Sequence, residues 1–229
     1  MSKDTTTTPV TTISLTAARL AIAASAAALL LLASLHVLSP EFDPSWRMVS
    51  EYANGQYGWV LSLMFVSWAV SSWGLAFAIW SQVGTRAGKI GLYFLVAAGI
   101  GEAMASVFDT NHPLHGLAAM IGIGSLPVAA MLISVSLSRT QAWSIAKRSF
   151  LWTANLTWVS VILMAVSFAI LIITYTQAGG DLTAGVTTTL PPGVIALVGW
   201  ANRLLIVVYC VWVITVAWQA IRLRREASQ

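Results

Sequence analysis

The sequence contains very little charge. Asp, Glu, Lys and Arg together make up 9% of its 229 residues, whereas a soluble domain carries about 25%. So few charged side chains cannot cover a surface that faces water. This shortage excludes an ordinary soluble domain, and the 58% of hydrophobic residues indicates an integral membrane protein instead.

Cysteine is almost absent as well. The chain has one cysteine, Cys210, which excludes an internal disulfide framework and any metal site built from several cysteines. Cys210 falls in the middle of a hydrophobic run, where we interpret it as a small, inert apolar residue.

What the chain has in quantity is long hydrophobic runs. A helix that crosses a hydrocarbon core of about 30 Å needs about 20 apolar residues, and six runs reach this length. They are continuously apolar rather than alternating, which favours helices over a β-barrel. The predicted fold is therefore an all-α integral membrane protein, a bundle of six transmembrane helices within residues 14–221. The predicted spans are about 17–38, 59–80, 89–108, 114–137, 150–174 and 194–220.

The two ends of the chain are predicted to be tails. Residues 1–13 begin with a Thr-rich stretch that is typical of a disordered segment, and residues 222–229 form a basic tail. The 20-residue connection 39–58 is long enough to contain a short helix or a re-entrant piece.

The basic residues predict the orientation. Ten of the twelve Lys and Arg residues fall at or near the N-terminus, the second connection, the fourth connection or the C-terminus, which leaves Arg47 and Arg203 for the other side. Because the cytoplasmic ends of membrane helices carry the excess of Lys and Arg, both termini are predicted to be cytoplasmic. These ten basic residues orient the protein, so the net charge of +4 does not indicate a nucleic-acid partner, and none is expected.

Several ionisable residues fall at a similar predicted depth. Ionisable residues inside spans are rare and costly, so each is a candidate functional residue. At about 1.5 Å per residue from the cytoplasmic ends, Asp109, Arg203 and His36 reach the outer surface and Glu102 lies somewhat deeper. Asp109 follows Glu102 by seven residues, which predicts one shared helix face. Arg203 is expected to need an acidic partner, for which Glu51, Glu102 and Asp109 are candidates.

These residues predict a polar site near the outer leaflet. A Glu, an Asp, a His and an Arg that converge beneath a loop suit acid–base catalysis with an anion clamp. The predicted catalytic residues are Glu51, Asp109 and His115. The predicted substrate-binding residues are Ser50, Glu102, Arg203 and His36.

Cofactor binding is a further possibility that the sequence does not require. His112, His115 and Asp109 are candidate ligands of a zinc-type ion with an open position for water, although their spacing is not a recognised metal signature. His36 and His115 lie at matched depth, as two axial haem ligands would.

Five short motifs follow one another along the chain. They are Ser50-Glu51-Tyr52, Val107-Phe108-Asp109, His115-Gly116, Pro127 and Gly199-Trp200-Ala201-Asn202-Arg203. Their order and spacing resemble a known family of bacterial membrane proteins, domain of unknown function 998. The resemblance covers about residues 39–218 and implies six membrane helices in the bacterial cytoplasmic (inner) membrane, with no assigned activity. It marks Ser50, Glu51, Asp109, His115 and Arg203 as the positions that match the recurrent motif. The family commonly has Phe-Pro before this Asp, whereas Val107 and Phe108 stand here.

Three kinds of function remain open on the sequence. The first is a protein that binds or moves a lipid-like or small amphipathic molecule in a pocket on the outer-leaflet side. The second is an intramembrane enzyme, an acid–base or metal-dependent hydrolase or transferase, that uses Glu51, Asp109, His115 and Arg203. The third is a structural or accessory subunit of a membrane complex, in which a pair such as Arg203 with Glu102 fixes the helix packing. The expected partners are membrane lipids, with a homo-oligomer or a membrane complex as further alternatives.

Overall fold

The computed structural model describes residues 10–181 and 189–229, and in these ranges the protein is helical and contains no strand. Six helices are long and apolar enough to cross a membrane, as predicted. A short helix, α5 (Gln141–Ser144), lies between the fourth and the fifth of them. The six are α1 (Leu15–Leu38), α2 (Gly58–Ile79), α3 (Arg86–Val107), α4 (His115–Leu137), α6 (Lys147–Gln177) and α7 (Val198–Glu226).

The helix ends differ from the predicted spans mainly in α7. This helix begins at Val198 rather than 194 and continues to Glu226 instead of ending at 220. Its last turn contains charged residues, and Arg222 pairs with Glu226 across one turn at 3.8 Å. Hydrophobicity marks the apolar part of a span, whereas helical hydrogen bonding continues into the polar region.

The predicted N-terminal tail is ordered at its end. Within residues 1–13, Val10–Thr12 form a 3-10 helix and Ile13 is 3% exposed, because Ile13 packs into the hydrophobic core. The prediction of disorder is therefore wrong for residues 10–13, and residues 1–9 lie outside the described residues. Ser14 then caps α1, its hydroxyl accepting a hydrogen bond from the Ala17 N–H at 3.3 Å.

Helices α2 and α7 form the centre of the bundle. In each of them 61% of an apolar stretch of 18 residues is buried, against 17% of such a stretch in α6. Helix α1 packs on both central helices, α3 packs between α2 and α4, and α6 packs on α4 and α7. The other helices therefore enclose the centre of the bundle on several sides. A site between α2, α3, α4 and α7 would be surrounded by helices.

Helices α3 and α4 approach each other closely at two glycines. A Cβ atom on Gly101 would lie 2.7 Å from the carbonyl oxygen of Ala118 and closer still to the backbone nitrogen of Gly122. Neither distance is one that two such atoms can adopt, so only a residue without a side chain fits there. The contact fixes the position of Glu102, the next residue of α3.

The two ends of the bundle differ in their connections. We call the end that carries loops 39–57 and 108–114 the long-loop end, and the opposite end the basic end. At the basic end the start of the chain contacts the α2–α3 connection, since the hydroxyls of Thr12 and Ser81 lie 2.8 Å apart. The Gln82 side chain donates to Thr12 at 2.8 Å and accepts from the Trp143 indole N–H at 3.3 Å. The N-terminal segment and these connections thus share one end.

Candidate functional site

Residues 39–57 cover the bundle at the long-loop end, and we call them the roof segment. The segment contains a 3-10 helix, Val49–Asn54, in agreement with the predicted short helix. The backbone N–H of Gly199 donates to the carbonyl of Ser45 at 3.0 Å. A Cβ atom at position 199 would lie 2.7 Å from the carbonyl oxygen of Arg47, so this close approach of α7 to the roof segment requires a glycine.

Arg203 of α7 attaches the roof segment to the bundle. The residue is 5% exposed, and its guanidinium donates four hydrogen bonds. Nη1 donates to the carbonyls of Arg47 and Gly199 at 2.8 and 2.9 Å, and Nη2 donates to the Tyr52 hydroxyl at 2.9 Å. Nε donates to Nε2 of His36 on α1 at 2.7 Å. Arg203 thus joins α1, α7 and the roof segment.

The hydrogen-bond partners of Arg203 are neutral, so the expectation that Glu51, Glu102 or Asp109 pairs with it is wrong. Carbonyl oxygens, a phenol and a neutral imidazole satisfy the guanidinium because together they supply four acceptors in a fixed arrangement. Nδ1 of His36 bonds to the carbonyl of Leu32 at 2.8 Å, so Nδ1 carries the proton and Nε2 is the acceptor. Both ring nitrogens of His36 are therefore engaged, which does not fit its predicted role as a haem ligand.

Glu51 pairs within the roof segment. Its Oε2 lies 2.5 Å from Nη1 of Arg47, and its Oε1 accepts the backbone N–H of Met48 at 2.7 Å. The Arg47 guanidinium also lies over the ring of Trp46, 4.2 Å from its centre. Glu51 therefore closes the first turn of the 3-10 helix and lines a groove of about 340 Å³ on the outside of the roof segment.

Asp43 stabilises the preceding turn of the same segment. Its Oδ1 accepts the backbone N–H of Ser45 at 2.9 Å. Hydrogen bonds from the backbone and the side chain of Ser45 lower the pKa of Asp43 below its usual value. The carboxylate form is thus the one that holds this turn.

Asp109 and His112 lie in the exposed turn between α3 and α4. Helix α3 ends at Val107, so Asp109 does not share a helix face with Glu102, and that prediction is wrong. The carboxylate of Asp109 accepts the backbone N–H of Asn111 at 2.9 Å. His112 accepts the N–H of Leu114 at 3.2 Å and stacks on Phe108. Both residues shape the turn.

His115 begins α4 and faces the other way. Its Nδ1 donates to the carbonyl of Phe108 at 3.0 Å, and its ring lines an internal cavity. In the described ranges no group of three or more His, Cys, Asp or Glu side chains is placed to hold a metal ion. His112, His115 and Asp109 accordingly do not form the metal site considered from the sequence, because His115 points into the bundle while the other two face outwards.

The cavity lies inside the bundle beneath the roof segment. Its volume is about 240 Å³, and residues of α2, α3, α4 and α7 form its walls. Met48, Val49 and Ser50 close it towards the long-loop end. Three of the predicted site residues, Ser50, Glu102 and His115, therefore meet at one cavity. Glu51, Asp109, Arg203 and His36 do not line it.

Glu102 is the one acidic residue in the wall of this cavity. The residue is 3% exposed. Oε2 accepts a hydrogen bond from the Ser72 hydroxyl of α2 at 2.9 Å, whereas the buried Oε1 has no hydrogen-bond partner. Glu102 belongs to neither of the ion pairs Arg47–Glu51 and Arg222–Glu226. Glu102 thus lines a mostly apolar cavity and has no Lys or Arg partner.

Trp68 of α2 brings a second unpartnered polar atom to the same cavity. Its indole Nε1 is buried and makes no hydrogen bond, and the residue is 5% exposed. Trp68 lies one turn before Ser72 on the same helix face, so its ring is next to the Ser72–Glu102 contact. Phe65 stacks on Trp68 with ring centres 6.3 Å apart.

Asn202 connects the cavity wall to the roof segment. Its side-chain oxygen accepts the backbone N–H of Val49 at 2.9 Å, and both residues line the cavity. Sequence reasoning missed Asn202, Trp68 and Ser72 because none of them is ionisable. The spacing of Phe65, Trp68 and Ser72 by three and four residues was the available signal, since it places them on one face of α2.

Comparisons with known proteins add the family. Searches of curated proteins and of solved structures each found no match. The family described as "Protein of unknown function (DUF998)" matches residues 22–219. This range contains all six long helices in whole or in large part, the roof segment and the cavity. The chain therefore belongs to the DUF998 family of uncharacterised proteins.

Proposed function

We propose that the protein binds a lipid-like or small amphipathic molecule in the cavity between α2, α3, α4 and α7. One observation carries this proposal: Glu102 and Trp68 both line the same mostly apolar cavity, and each has a buried polar atom without a partner, Oε1 and Nε1 respectively. Leaving a buried polar atom unpaired costs about 1–3 kcal/mol. A ligand that pairs both atoms recovers this energy.

The size and lining of the cavity support a molecule that is mainly apolar. An apolar cavity of about 150 Å³ holds benzene, and the cavity here is about 240 Å³. Most of its lining is apolar, with polar groups at Glu102, Trp68, Asn202, His115 and Ser50. This combination suits a ligand with a short alkyl chain and a small polar head.

A hydroxyl head group is the simplest one that fits the two unpartnered atoms. A hydroxyl donates one hydrogen bond and accepts others. It therefore donates to Glu102 Oε1 and accepts from Trp68 Nε1. The apolar remainder of the ligand then contacts residues such as Ala118, Leu205 and Ile206.

Binding is favoured over catalysis by the placement of the predicted catalytic residues. Of these, His115 lines the cavity, while Glu51 pairs with Arg47 and Asp109 caps an exposed turn. Within the described residues, no hydrogen bond or ion pair joins any two of Glu51, Asp109, His115 and Arg203.

The proposal places the cavity near the outer leaflet of the bacterial cytoplasmic membrane. The excess of Lys and Arg at the basic end supports an orientation with both termini in the cytoplasm. Ligand would then reach the cavity from the outer leaflet or from the outer face.

Photolabelling tests the proposal. The purified protein in detergent is irradiated with 3-azioctanol, a photoreactive alcohol, and labelled peptides are mapped by mass spectrometry. We expect label on residues of the cavity wall and competition by 1-octanol. Ala119→Phe, which fills part of the cavity, should reduce this labelling at least fivefold. Met120→Phe is the matched control, because Met120 is the next residue of α4 and is 70% exposed.

The result that contradicts the proposal is equally specific. Label confined to lipid-facing residues, or cavity label that Ala119→Phe leaves unchanged, would mean that the cavity does not bind amphipathic alcohols.

A further inference from the structure

The buried carboxyl group of Glu102 needs compensation of its negative charge, which a neutral ligand does not provide. A charged group is stable inside a protein only if a partner compensates its desolvation, because the effective cost of burying an ion is several kcal/mol. Ser72 offers one neutral hydrogen bond to Glu102, and no Lys, Arg or second acid lines the cavity. The carboxyl group is therefore compensated either by a proton or by a cation that enters the cavity.

The neighbours of Glu102 do not supply that charge. From α4, His115 faces the cavity, with Nδ1 bonded to the Phe108 carbonyl. From α7, Tyr209 and Cys210 are titratable groups that interact electrostatically with Glu102, and the Tyr209 hydroxyl donates to the carbonyl of Ile123 at 2.7 Å. From α2, the side chains against Glu102 are Ser72 and Trp68, which do not titrate.

The aromatic side chains of α2 make the cavity suitable for an organic cation. The stacked rings of Phe65 and Trp68 line it beside Glu102. The faces of aromatic rings attract ammonium groups, above all when water is excluded. A carboxylate next to such rings in an apolar wall is the chemistry that recognises an amine with an alkyl chain.

The Trp68 N–H adds a second requirement. An ammonium group has hydrogen-bond donors only, so it pairs with Glu102 and leaves Trp68 Nε1 unpartnered. An oxygen on the carbon next to the amine-bearing carbon would accept from Trp68. The two unpartnered atoms together therefore select a lipophilic amino alcohol over a simple amine or a simple alcohol.

We propose that Glu102 carries a proton while the cavity is empty and exchanges it for the ammonium group of a lipophilic amino alcohol, whose oxygen accepts from Trp68. The step conserves charge at the site. The Glu102 O–H bond breaks, the proton leaves to solvent, and the protonated amine enters as the counter-ion of the carboxylate. The cavity is neutral before and after the exchange. The proposal rests on the proposed function, because it specifies the ligand class of the same cavity.

Three competitors of the same chain length separate the contribution of the ammonium group from that of the hydroxyl group. The competitors of 3-azioctanol labelling are 1-octanol, octylamine and 2-amino-1-octanol, measured on the wild-type protein between pH 5.5 and 8. We expect 2-amino-1-octanol to compete best and 1-octanol to compete least, with at least a tenfold difference between these two at pH 8. Competition by both amines should strengthen as the pH rises, by up to about tenfold per unit, because one proton is released for each amine bound. Competition by 1-octanol should not change with pH.

Two substitutions assign the preferences to residues. Glu102→Gln keeps the shape of the side chain and removes its charge, so it should abolish the advantage of the amines and their pH dependence. Trp68→Phe keeps an aromatic ring and removes the N–H, so it should abolish the advantage of 2-amino-1-octanol over octylamine. His115→Asn controls for titration of the imidazole and should leave the pH dependence in place. The unfolding temperature of each variant, followed by the reaction of the buried Cys210 with a thiol-reactive dye, verifies that the variant is folded.

The outcomes distinguish this proposal from the proposed function. If 1-octanol blocks cavity labelling but the amines compete no better at any pH, the exchange is wrong and the proposed function stands. If the pH dependence persists in Glu102→Gln and disappears in His115→Asn, the exchange is assigned to the wrong group and is overturned. If no probe labels or competes at the cavity, the proposed function itself fails. The wild-type pH series decides the matter even where a variant does not fold.

Discussion

Replacement of Arg203 tests whether this residue holds the roof segment on the bundle. In Arg203→Met the alkyl part of the side chain is largely kept and the guanidinium is lost. The change removes the hydrogen bonds to His36, Tyr52 and the carbonyl of Arg47, at 2.7, 2.9 and 2.8 Å. Arg203→Lys keeps a charge but cannot reach all three partners from one ammonium group.

The expected destabilisation follows from the acceptors that are left behind. Each buried acceptor that loses its partner costs about 1–3 kcal/mol. Tyr52 can turn its hydroxyl, which leaves His36 and the Arg47 carbonyl as the main losses, and methionine avoids the desolvation of a buried cation. We expect a loss of about 2–4 kcal/mol for Arg203→Met and about half of that for Arg203→Lys. At about 2–4 °C per kcal/mol, the unfolding temperature of the Met variant falls by about 4–16 °C.

The single cysteine makes the assay simple. Cys210 is 0% exposed, so a thiol-reactive fluorogenic dye reports its exposure when the bundle unfolds. A second reporter detects release of the roof segment alone: Val49→Cys in a Cys210→Ala background, since Val49 is 1% exposed in the roof segment. In Arg203→Met the thiol introduced at position 49 should react well below the temperature at which Cys210 reacts. Arg139→Met is the control, because Arg139 is exposed at the basic end.

Two results would refute the reasoning. If Arg203→Met and Arg139→Met unfold at the same temperature, the buried hydrogen bonds contribute little. If Arg203→Met lowers the unfolding temperature but the thiol at position 49 stays protected until Cys210 reacts, Arg203 stabilises the whole bundle and does not hold the roof segment in particular.

Three further predictions concern packing, acid stability and orientation. Gly101→Ala should destabilise the bundle by about 1–3 kcal/mol, because its Cβ would lie 2.7 Å from the Ala118 carbonyl oxygen. Gly124→Ala is the control and should not destabilise the bundle, because a Cβ there meets no atom within 4 Å. Equal unfolding temperatures of the two variants, measured by the reaction of Cys210, would contradict this prediction. The pKa of Asp43 is lowered, so its carboxylate stabilises the roof segment above a pH of about 4 and this stability is lost as the pH falls through the lowered value. Asp43 is exposed, so water screens its interactions, and Asp43→Ala should be less stable than wild type at pH 7 by only a fraction of about 1 kcal/mol. Below the lowered pKa the two proteins should be equally stable; a difference that persists in acid, measured by tryptophan fluorescence, would argue against this role. A fluorescent protein fused after Gln229 should fluoresce in intact bacteria and an alkaline phosphatase fused there should be inactive, and the reverse pattern would place the termini outside.

The fold could be predicted because each span is a continuous apolar run of sufficient length. The helix ends could not, as in α7, where helical hydrogen bonds continue through Arg222 to Glu226. The hydrophobicity of the sequence predicts which residues lie in the membrane. The end of a helix depends instead on where its last backbone carbonyls find other hydrogen-bond partners. The same difference explains Ile13, a residue assigned to a tail that packs into the core.

The site could be predicted in depth but not in rotation. Counting residues predicts that His115 lies at the outer level and Glu102 somewhat deeper, and both residues line one cavity. Depth does not give the direction in which a side chain points around its helix axis. The seven-residue spacing predicts one helix face for Glu102 and Asp109 only if the helix includes both residues, and α3 ends before Asp109.

The partners of Arg203 could not be predicted, because every residue has a backbone carbonyl and the sequence does not indicate which carbonyl will lie near the guanidinium. Only folding brings the Arg47 carbonyl, the Tyr52 hydroxyl and His36 together around one guanidinium. Neutral residues such as Trp68 and Ser72 were missed for a similar reason, since the importance of each lies in what it contacts.

The position of the roof segment separates two properties of the cavity that are usually linked. Glu102 and Trp68 line the cavity and determine how strongly a molecule is held, whereas the hydrogen bond between Val49 and Asn202 joins the cavity wall to the roof segment. A molecule that leaves past the roof segment must first break that bond and loosen the Arg203 contacts. Substitutions at Asn202 should therefore change the residence time of a bound molecule more than its equilibrium occupancy, because they speed entry and exit together.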